Sequence, residues 1–542
     1  LNPSSAASDV YKRQGGEPIN GINLSPMDVS MRTLRQEFFP PFKRAIDAGV
    51  FTFMAAHNEV NGVPAHGSRF LLHDVLRDEW GFNGFVVSDW MDIERLHTFH
   101  RVAENPKEAV YQTVDAGMDM HMHGPNFLEP LAELVQQGRI SEARINRSAS
   151  AILLSKFRLG LFDDPFVDES AVDKAIFTDA HQQTALQMAR QGLVLLTNKN
   201  DILPLKNSGK IFVTGPNADS HAILGDWVLP QPEGNVITVV DGLRRVIGDS
   251  AKLDFLDVGN QVKRLSTANI AEAKKRAKNA DIAIVVVGEN PLRYDRKGKT
   301  SGENVARSKI NLFGRQLELV QSVQSSGTPT IVVFVNGRPL AEPWVVDNTD
   351  AFVEAWEPGA MGGLAVAEIL FGEVNPSGKL PITIPYSVGH AQAIYNHKPS
   401  AYKHKYVDAP TRNLFEFGYG LSYSEFRYGR PALKKKVIGH TESTEVSVVI
   451  ENTGKRAGYE TVQLYIRDLY SQVTRPVKEL KGFRKIYLQP GESKTVRFKI
   501  SPQQLSYYNL AMEWVVEAGK FKIMVGSSSR NKDLKAAILE VK

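Results

Sequence analysis

Gly81-Phe-Asn-Gly-Phe-Val-Val-Ser-Asp89-Trp90 is the stretch on which the reading of the fold turns. Phe85-Val-Val is an apolar, β-rich run too short for a helix and bounded by turn-forming residues, which predicts a buried strand. Its end places the Asp89 carboxylate at the C-terminal tip of that strand. Outward from it, residues 51–57 read as a second strand, 68–80 as a helix, 106–116 as a helix, 118–122 as a strand and 127–137 as a helix. The order β-α-β-α-β is that of a parallel sheet. In α/β barrels the C-terminal ends of the strands carry the working side chains. Trp90 adds a flat apolar face beside the carboxylate. The competing reading makes Asp89 a plain N-cap for a helix over 91–96.

A second α/β block occupies 177–385, with strands expected at 193–196, 211–214, 282–287, 330–335 and 351–355 and clear helices at 314–325 and 362–371. Residues 390–428 are loop-like and aromatic, as in Asn413-Leu-Phe-Glu-Phe-Gly-Tyr-Gly-Leu-Ser-Tyr423, and read as a connector. Beyond it, β-rich runs at 445–451, 459–466, 478–487, 495–500, 513–517 and 519–525 alternate with turn residues, the pattern of an all-β sandwich.

The composition excludes several classes. With 542 residues, 42% hydrophobic and 23% charged, the chain is globular and long enough for three or four domains. Sixty-five Lys and Arg against 60 Asp and Glu leave a net +5 with no like-charge run, so no electrostatic footprint for nucleic acid or membrane is expected. No apolar run approaches the roughly 18–20 residues of a spanning helix. Zero cysteines remove thiol nucleophiles, disulfides and zinc-thiolate sites, and leave the compartment open. His121 and His123 alternate along one strand, but two ligands are too few for zinc, and no metal or other cofactor is expected. The glycine-rich 358–363 lacks the context of a phosphate loop. Leu1–Gln14 has no periodicity joining it to the residues after Gly15 and is read as a non-native segment.

One carboxylate does little alone. Retaining glycoside hydrolysis takes a nucleophilic carboxylate and a second, acid/base carboxyl roughly 5–5.5 Å away. Glu303, on the polar loop Gly298-Lys-Thr-Ser-Gly-Glu303-Asn-Val-Ala-Arg307, is one candidate for the second. Glu289, at the end of Val285-Val-Val-Gly288, is the other. The bland alternative for Glu303 is a solvated surface side chain.

These residues, together with Phe39-Pro-Pro-Phe, Asn61-Gly-Val-Pro64, Leu72-His-Asp-Val-Leu-Arg77, Asp115-Ala-Gly-Met-Asp119, Asn336-Gly-Arg-Pro339, Gly378-Lys-Leu-Pro381 and Phe417-Gly-Tyr-Gly-Leu-Ser-Tyr423, resemble glycoside hydrolase family 3, the β-glucosidases and related exo-acting enzymes. The resemblance runs from Gly15 to the end. It implies a multidomain α/β plus all-β protein: the C-terminal part of a (β/α)8 TIM-like barrel at 15–165, an α/β sandwich at 166–389, a connector at 390–430 and a fibronectin type III-like β-sandwich at 431–542. It also implies that Asp89 is the nucleophile and Glu303 the acid/base, with Arg307 completing a Glu-x-x-x-Arg pattern. Trp90, Arg95, Met54 and His57 then fall among the sugar-binding residues, His57 being equally readable as a buried structural histidine. Trp227 in Gly225-Asp-Trp resembles a second aromatic platform, with core packing as the alternative.

The family's barrel also implies strands ahead of Gly15 that bear a Lys-His pair, so the chain as given is expected to show little turnover. The expected substrate is a β-linked oligosaccharide or glucoside, with a β-xyloside as the variant within the family. A carbohydrate-binding remnant without activity is the alternative of another class. The sandwich is compatible with a homodimer, and the layout is one often exported or periplasmic.

Overall fold

The computed structural model describes residues 19–22, 24–248, 251–390, 393–402 and 406–542, so the segment 1–14 lies outside the described residues. The chain forms two compact units, Leu1–Ala171 and Val172–Lys542. No helix among the described residues is long and apolar enough to cross a membrane.

In the first unit α1 (Phe39–Asp47) leads into β1 (Thr52–Met54), a helix of wider winding over Phe70–Glu79, and β2 (Phe85–Val87). Next come α2 (Asp92–Thr98), α3 (Pro106–Ala116), α4 (Leu128–Gln136) and α5 (Glu142–Arg158). β1 and β2 pair in parallel, Phe53 opposite Val86, and Met120 adds a parallel bridge to Val87. The strand expected over 118–122 is thus reduced to one paired residue, because Met118 turns into the core while His121 and His123 face other side chains. Asn105 caps α3 by accepting the Glu108 N–H, and Pro106 occupies the first turn where its missing N–H costs nothing. Phe53, Leu72, Leu76, Val86, Ile93 and Val114 fill the core between strands and helices. The Asp119 carboxylate ties this unit together. It receives the Val86 N–H at 2.9 Å and pairs with Arg77 at 2.5 Å and Arg144 at 3.2 Å. These charge-assisted bonds offset the cost of burying it.

The second unit opens with α6 (Asp179–Gly192), β3 (Val194–Asn198), β4 (Lys210–Thr214), α7 (Val239–Ile247) and β5 (Lys252–Leu256). It continues through α8 (Thr267–Ala277), β6 (Ile282–Gly288), α9 (Gln316–Gln324), β7 (Thr330–Val335), β8 (Ala351–Glu354) and α10 (Gly362–Phe371). The six strands form one sheet in the order β3-β8-β7-β6-β4-β5, parallel except for β3. Its two faces carry separate apolar layers, so β6 and β7 are buried on both sides and read as unbroken apolar runs. The glycine-rich 358–363 has a packing role. A Cβ on Gly242 of α7 would lie 2.1 Å from the Gly363 carbonyl, and one on Gly363 would lie 2.0 Å from that of Thr238, so the two helices meet backbone to backbone.

The sandwich comprises β9 (Phe426–Tyr428), β10 (Ala432–Leu433), β11 (Val437–Ile438), β12 (Thr444–Asn452) and β13 (Gly458–Asp468). After these come β14 (Glu479–Leu488), β15 (Ser493–Ile500), β16 (Gly519–Gly526) and β17 (Leu534–Val541). β12 pairs with β9, β10 and β15, and the second sheet runs β11-β17-β16-β13-β14. Val448, Ile450, Leu464, Phe498 and Ile523 interdigitate between the two sheets. The connector folds back onto the six-stranded sheet, where the Leu421 N–H reaches the Leu195 carbonyl at 2.8 Å.

Candidate active site

Two clusters gather the residues singled out in the sequence, one in each unit.

The first lies at the tip of β2. Asp89 is 5% exposed. It does not cap the helix after it: α2 starts at Asp92 with Met91 at its cap in the left-handed region, and the Asp89 Oδ1 takes the Trp90 N–H at 2.6 Å instead. His57 stands between two carboxylates, its Nε2 2.9 Å from Asp89 Oδ2 and its Nδ1 2.6 Å from Asp92 Oδ2. Burial alone would push the imidazole down, yet the bonds to Asp89 and Asp92 outweigh it and raise His57 to about 9. Arg95 pairs with the other oxygen of Asp92. Two carboxylates thus face two cations, and the buried cluster is neutral. Behind it His66 is lowered by burial and stays neutral, and its Nε2 accepts the Asp89 N–H at 2.9 Å. His57, Asp89 and Asp92 offer ligand atoms within 4.8 Å of one another. A metal ion there would have to displace a proton that the two carboxylates hold on His57 up to about pH 9.

Trp90 is 54% exposed and stacks on His123 at 3.8 Å, so its free indole face is presented to solvent. His121 is held by Glu94 at 3.2 Å and stacked on Phe127. Met54, at the end of β1, is half-buried.

The second cluster surrounds Glu303. Its carboxylate Oε2 pairs with Arg293, and the Arg293 guanidinium lies 3.4 Å over the Trp227 ring. Asp226 is the hub: it accepts the Glu303 N–H at 2.7 Å, the Lys299 ammonium at 2.9 Å and the Trp227 N–H at 2.8 Å. These donors hold Asp226 below the usual carboxylate range even though burial works against them. Trp227 is 70% exposed, so it does not pack in a core. Glu289 is fully buried between Arg307 at 2.8 Å and Arg338 at 3.1 Å. Arg307, expected near substrate, spends its guanidinium on Glu289 and on the Asn311 carbonyl. Glu357 is pushed up to about 7 by burial and by the charges of Glu289 and Asp226. Its carboxyl occupies the space left by two glycines, for a Cβ on Gly225 or Gly337 would lie 2.7 or 2.6 Å from its oxygens.

Sequence reasoning missed Asp92, His66, Asp226, Arg293 and Glu357. Asp226 had a signal, since it directly precedes the platform Trp227; Asp92 lies three residues from both Asp89 and Arg95, one helical turn.

A buried carboxylate at a barrel strand tip, and a second carboxylate beside an exposed indole on an α/β domain, define a class of protein that works on glycosidic bonds. Residues 15–154 match the glycosyl hydrolase family 3 N-terminal domain, 193–423 the family 3 C-terminal domain and 460–529 a fibronectin type III-like domain. The chain is 39% identical to a β-xylosidase of Formosa agariphila, covering 97% of this chain and 75% of that protein. It is 36% identical to a periplasmic β-glucosidase of Salmonella typhimurium, covering 95% and 70%. The β-glucosidase of Listeria innocua in complex with glucose superposes with a TM-score of 0.90 at 33% identity, covering 99% of this chain and 75% of that one. The chain belongs to glycosyl hydrolase family 3 and is a glycosyl hydrolase with a TIM-like barrel, an α/β sandwich and a fibronectin type III-like domain, as the resemblance implied.

Proposed function

We propose that this hydrolase is exo-acting and retaining, and that it releases terminal, non-reducing β-D-glucose from β-glucosides. The observation that carries the reading is the pinned Asp89 carboxylate, fixed by the Trp90 N–H and faced by the His57 imidazolium. Asp89 attacks the anomeric carbon and the glycosidic C–O bond breaks, while Glu303 gives a proton to the leaving oxygen. Water, deprotonated by Glu303, then attacks the same carbon and frees Asp89, so configuration is retained. Arg293 occupies Glu303 Oε2, and Oε1 is the oxygen left for proton transfer. Glu289 has no such freedom between its two arginines. Trp90 and Trp227 each offer an exposed ring face suited to the apolar face of a sugar.

Relatives named β-glucosidase and β-xylosidase support the β-glycoside class. The 39% identity to a β-xylosidase makes xylosides the second reading. The test compares kcat/KM on 4-nitrophenyl β-D-glucoside and β-D-xyloside. Higher kcat/KM on the xyloside would replace the first reading with the second, and no turnover of either would favour a binding remnant. Asp89→Ala should abolish turnover, and Glu303→Ala should recover with azide as an external nucleophile; activity in Asp89→Ala would sink the assignment.

A further inference from the structure

A cavity of ≈570 Å³ opens on the outer face of the second sandwich sheet, walled by connector residues around Tyr395 and Glu416. Its floor brings Arg467 of β13 directly opposite Lys522 of β16. Like charges opposed across two strands repel and destabilise the pair. Neither side chain has an ion-pair or hydrogen-bond partner among the described residues. Lys478 joins them from the wall. It is 8% exposed, with its ammonium donating to the Ser529 carbonyl at 2.6 Å and to Asn531 at 2.7 Å. Burial lowers its pKa most, Glu416 opposes that, and the charges of Lys522 and Arg467 lower it further. Arg530 completes the rim, its Nε held by Asp533 at 2.7 Å. Against these cations the lining supplies a single carboxylate, Glu416, which already accepts from Asn413 at 2.9 Å.

A planar guanidinium facing an ammonium, in a recess that excludes part of the water, suits the oxygens of a small anion, and the volume lies within the roughly 300–1,000 Å³ of small-molecule sites. We propose that this cavity binds a small oxyanion-bearing ligand, a phosphate, sulfate or carboxylate group carried free or on a sugar, held between Arg467 and Lys522 with Lys478 behind. Nothing in the hydrolytic reading requires it, and it stands independently of that reading.

The test is isothermal titration of the full chain with three probes, inorganic phosphate, D-glucose 6-sulfate and D-glucuronate, on the wild type, Arg467→Gln, Lys522→Gln and the surface control Lys499→Gln. At least one probe should bind saturably, and the tightest identifies whether the source is a free ion or an acidic sugar. Each pocket variant should weaken it about tenfold or more, the loss of one charged hydrogen bond, while Lys499→Gln binds as wild type. Without anion, Arg467→Gln should melt no lower than wild type, because it relieves a repulsion; with the binding anion present, wild type should gain stability that the variant does not. Absence of saturable binding by all three probes, or equal binding in the pocket variants, would overturn the proposal.

Discussion

The carboxylate of Asp226 receives the backbone N–H of Glu303 at 2.7 Å, while its other oxygen takes the N–H of Trp227. One side chain therefore fixes both the backbone that carries the proposed acid/base and the base of the aromatic platform beside it.

Asp226→Asn removes the charge that Lys299 and Arg293 share and loosens the Glu303 loop. Its effect should depend on how much the leaving group needs a proton. We expect kcat/KM on phenyl β-D-glucoside to fall roughly 10–100-fold, a part of the ~10²–10⁴-fold that general acid catalysis supplies. On 2,4-dinitrophenyl β-D-glucoside, whose phenol leaves unaided, kcat/KM, which covers only the steps up to departure of the phenol, should change little. An equal fall on both substrates would show Asp226 to be structural only.

Gly302→Ala tests the same loop through its backbone. Gly302 has φ of +87°, and a Cβ there would meet Asp226 Oδ2 at 2.5 Å. Strain of about 1–3 kcal/mol is expected. The measurement is the denaturation midpoint together with the phenyl-glucoside kcat, and both should fall.

His57→Gln should have a pH-dependent cost. The folded His57 sits at about 9 against 6.5 unfolded, so its bound proton contributes stability fully below pH 6.5, and that contribution disappears as pH rises through 9. The gap in Tm between wild type and His57→Gln should be widest near pH ~6 and narrow by about pH 9.5. A constant gap would mean that folding leaves the His57 pKa at its unfolded value, and would overturn the raised value.

Glu357→Gln has the opposite sense. A carboxyl raised to about 7 in the fold, from 4.5, destabilises the protein progressively as pH climbs from 4.5 to 7. The glutamine variant should gain in Tm over wild type across that window and hold the gain at about pH 8, as measured by calorimetry. The same Tm difference at both ends of the window would contradict it.

The elements most legible in the sequence were those with one dominant signal. Pro106–Ala116, Thr330–Val335 and Gly362–Phe371 form with the bounds that their caps and apolar runs predict. Lys252–Leu256 escaped because it is an edge strand whose Lys-Leu-Asp-Phe-Leu text mixes charge with apolar residues, and Leu534–Val541 because only Leu539 and Val541 of its eight residues are buried. At the site, Asp89 and Glu303 stood out by local context. Asp92 and Asp226 carried only the hint of a neighbouring Arg95 and Trp227, since His57, Lys299 and Glu303, which complete their roles, come from distant segments. Several motifs that carried the resemblance prove to be joints: Asp119 clamps two arginines, and Lys379 reaches the Gly420 carbonyl at 2.9 Å and Glu460 at 3.3 Å.

The bridge from Leu421 to Leu195 has a consequence for synthesis. β3 is made early and forms the antiparallel margin of its sheet, with a row of backbone groups open to any passing strand. The segment that seals that margin leaves the ribosome only after the whole parallel sheet has been translated. During that interval the nascent chain exposes a sticky rim, and a ribosome stalled before codon 421 would release a product prone to aggregate rather than a shorter stable domain.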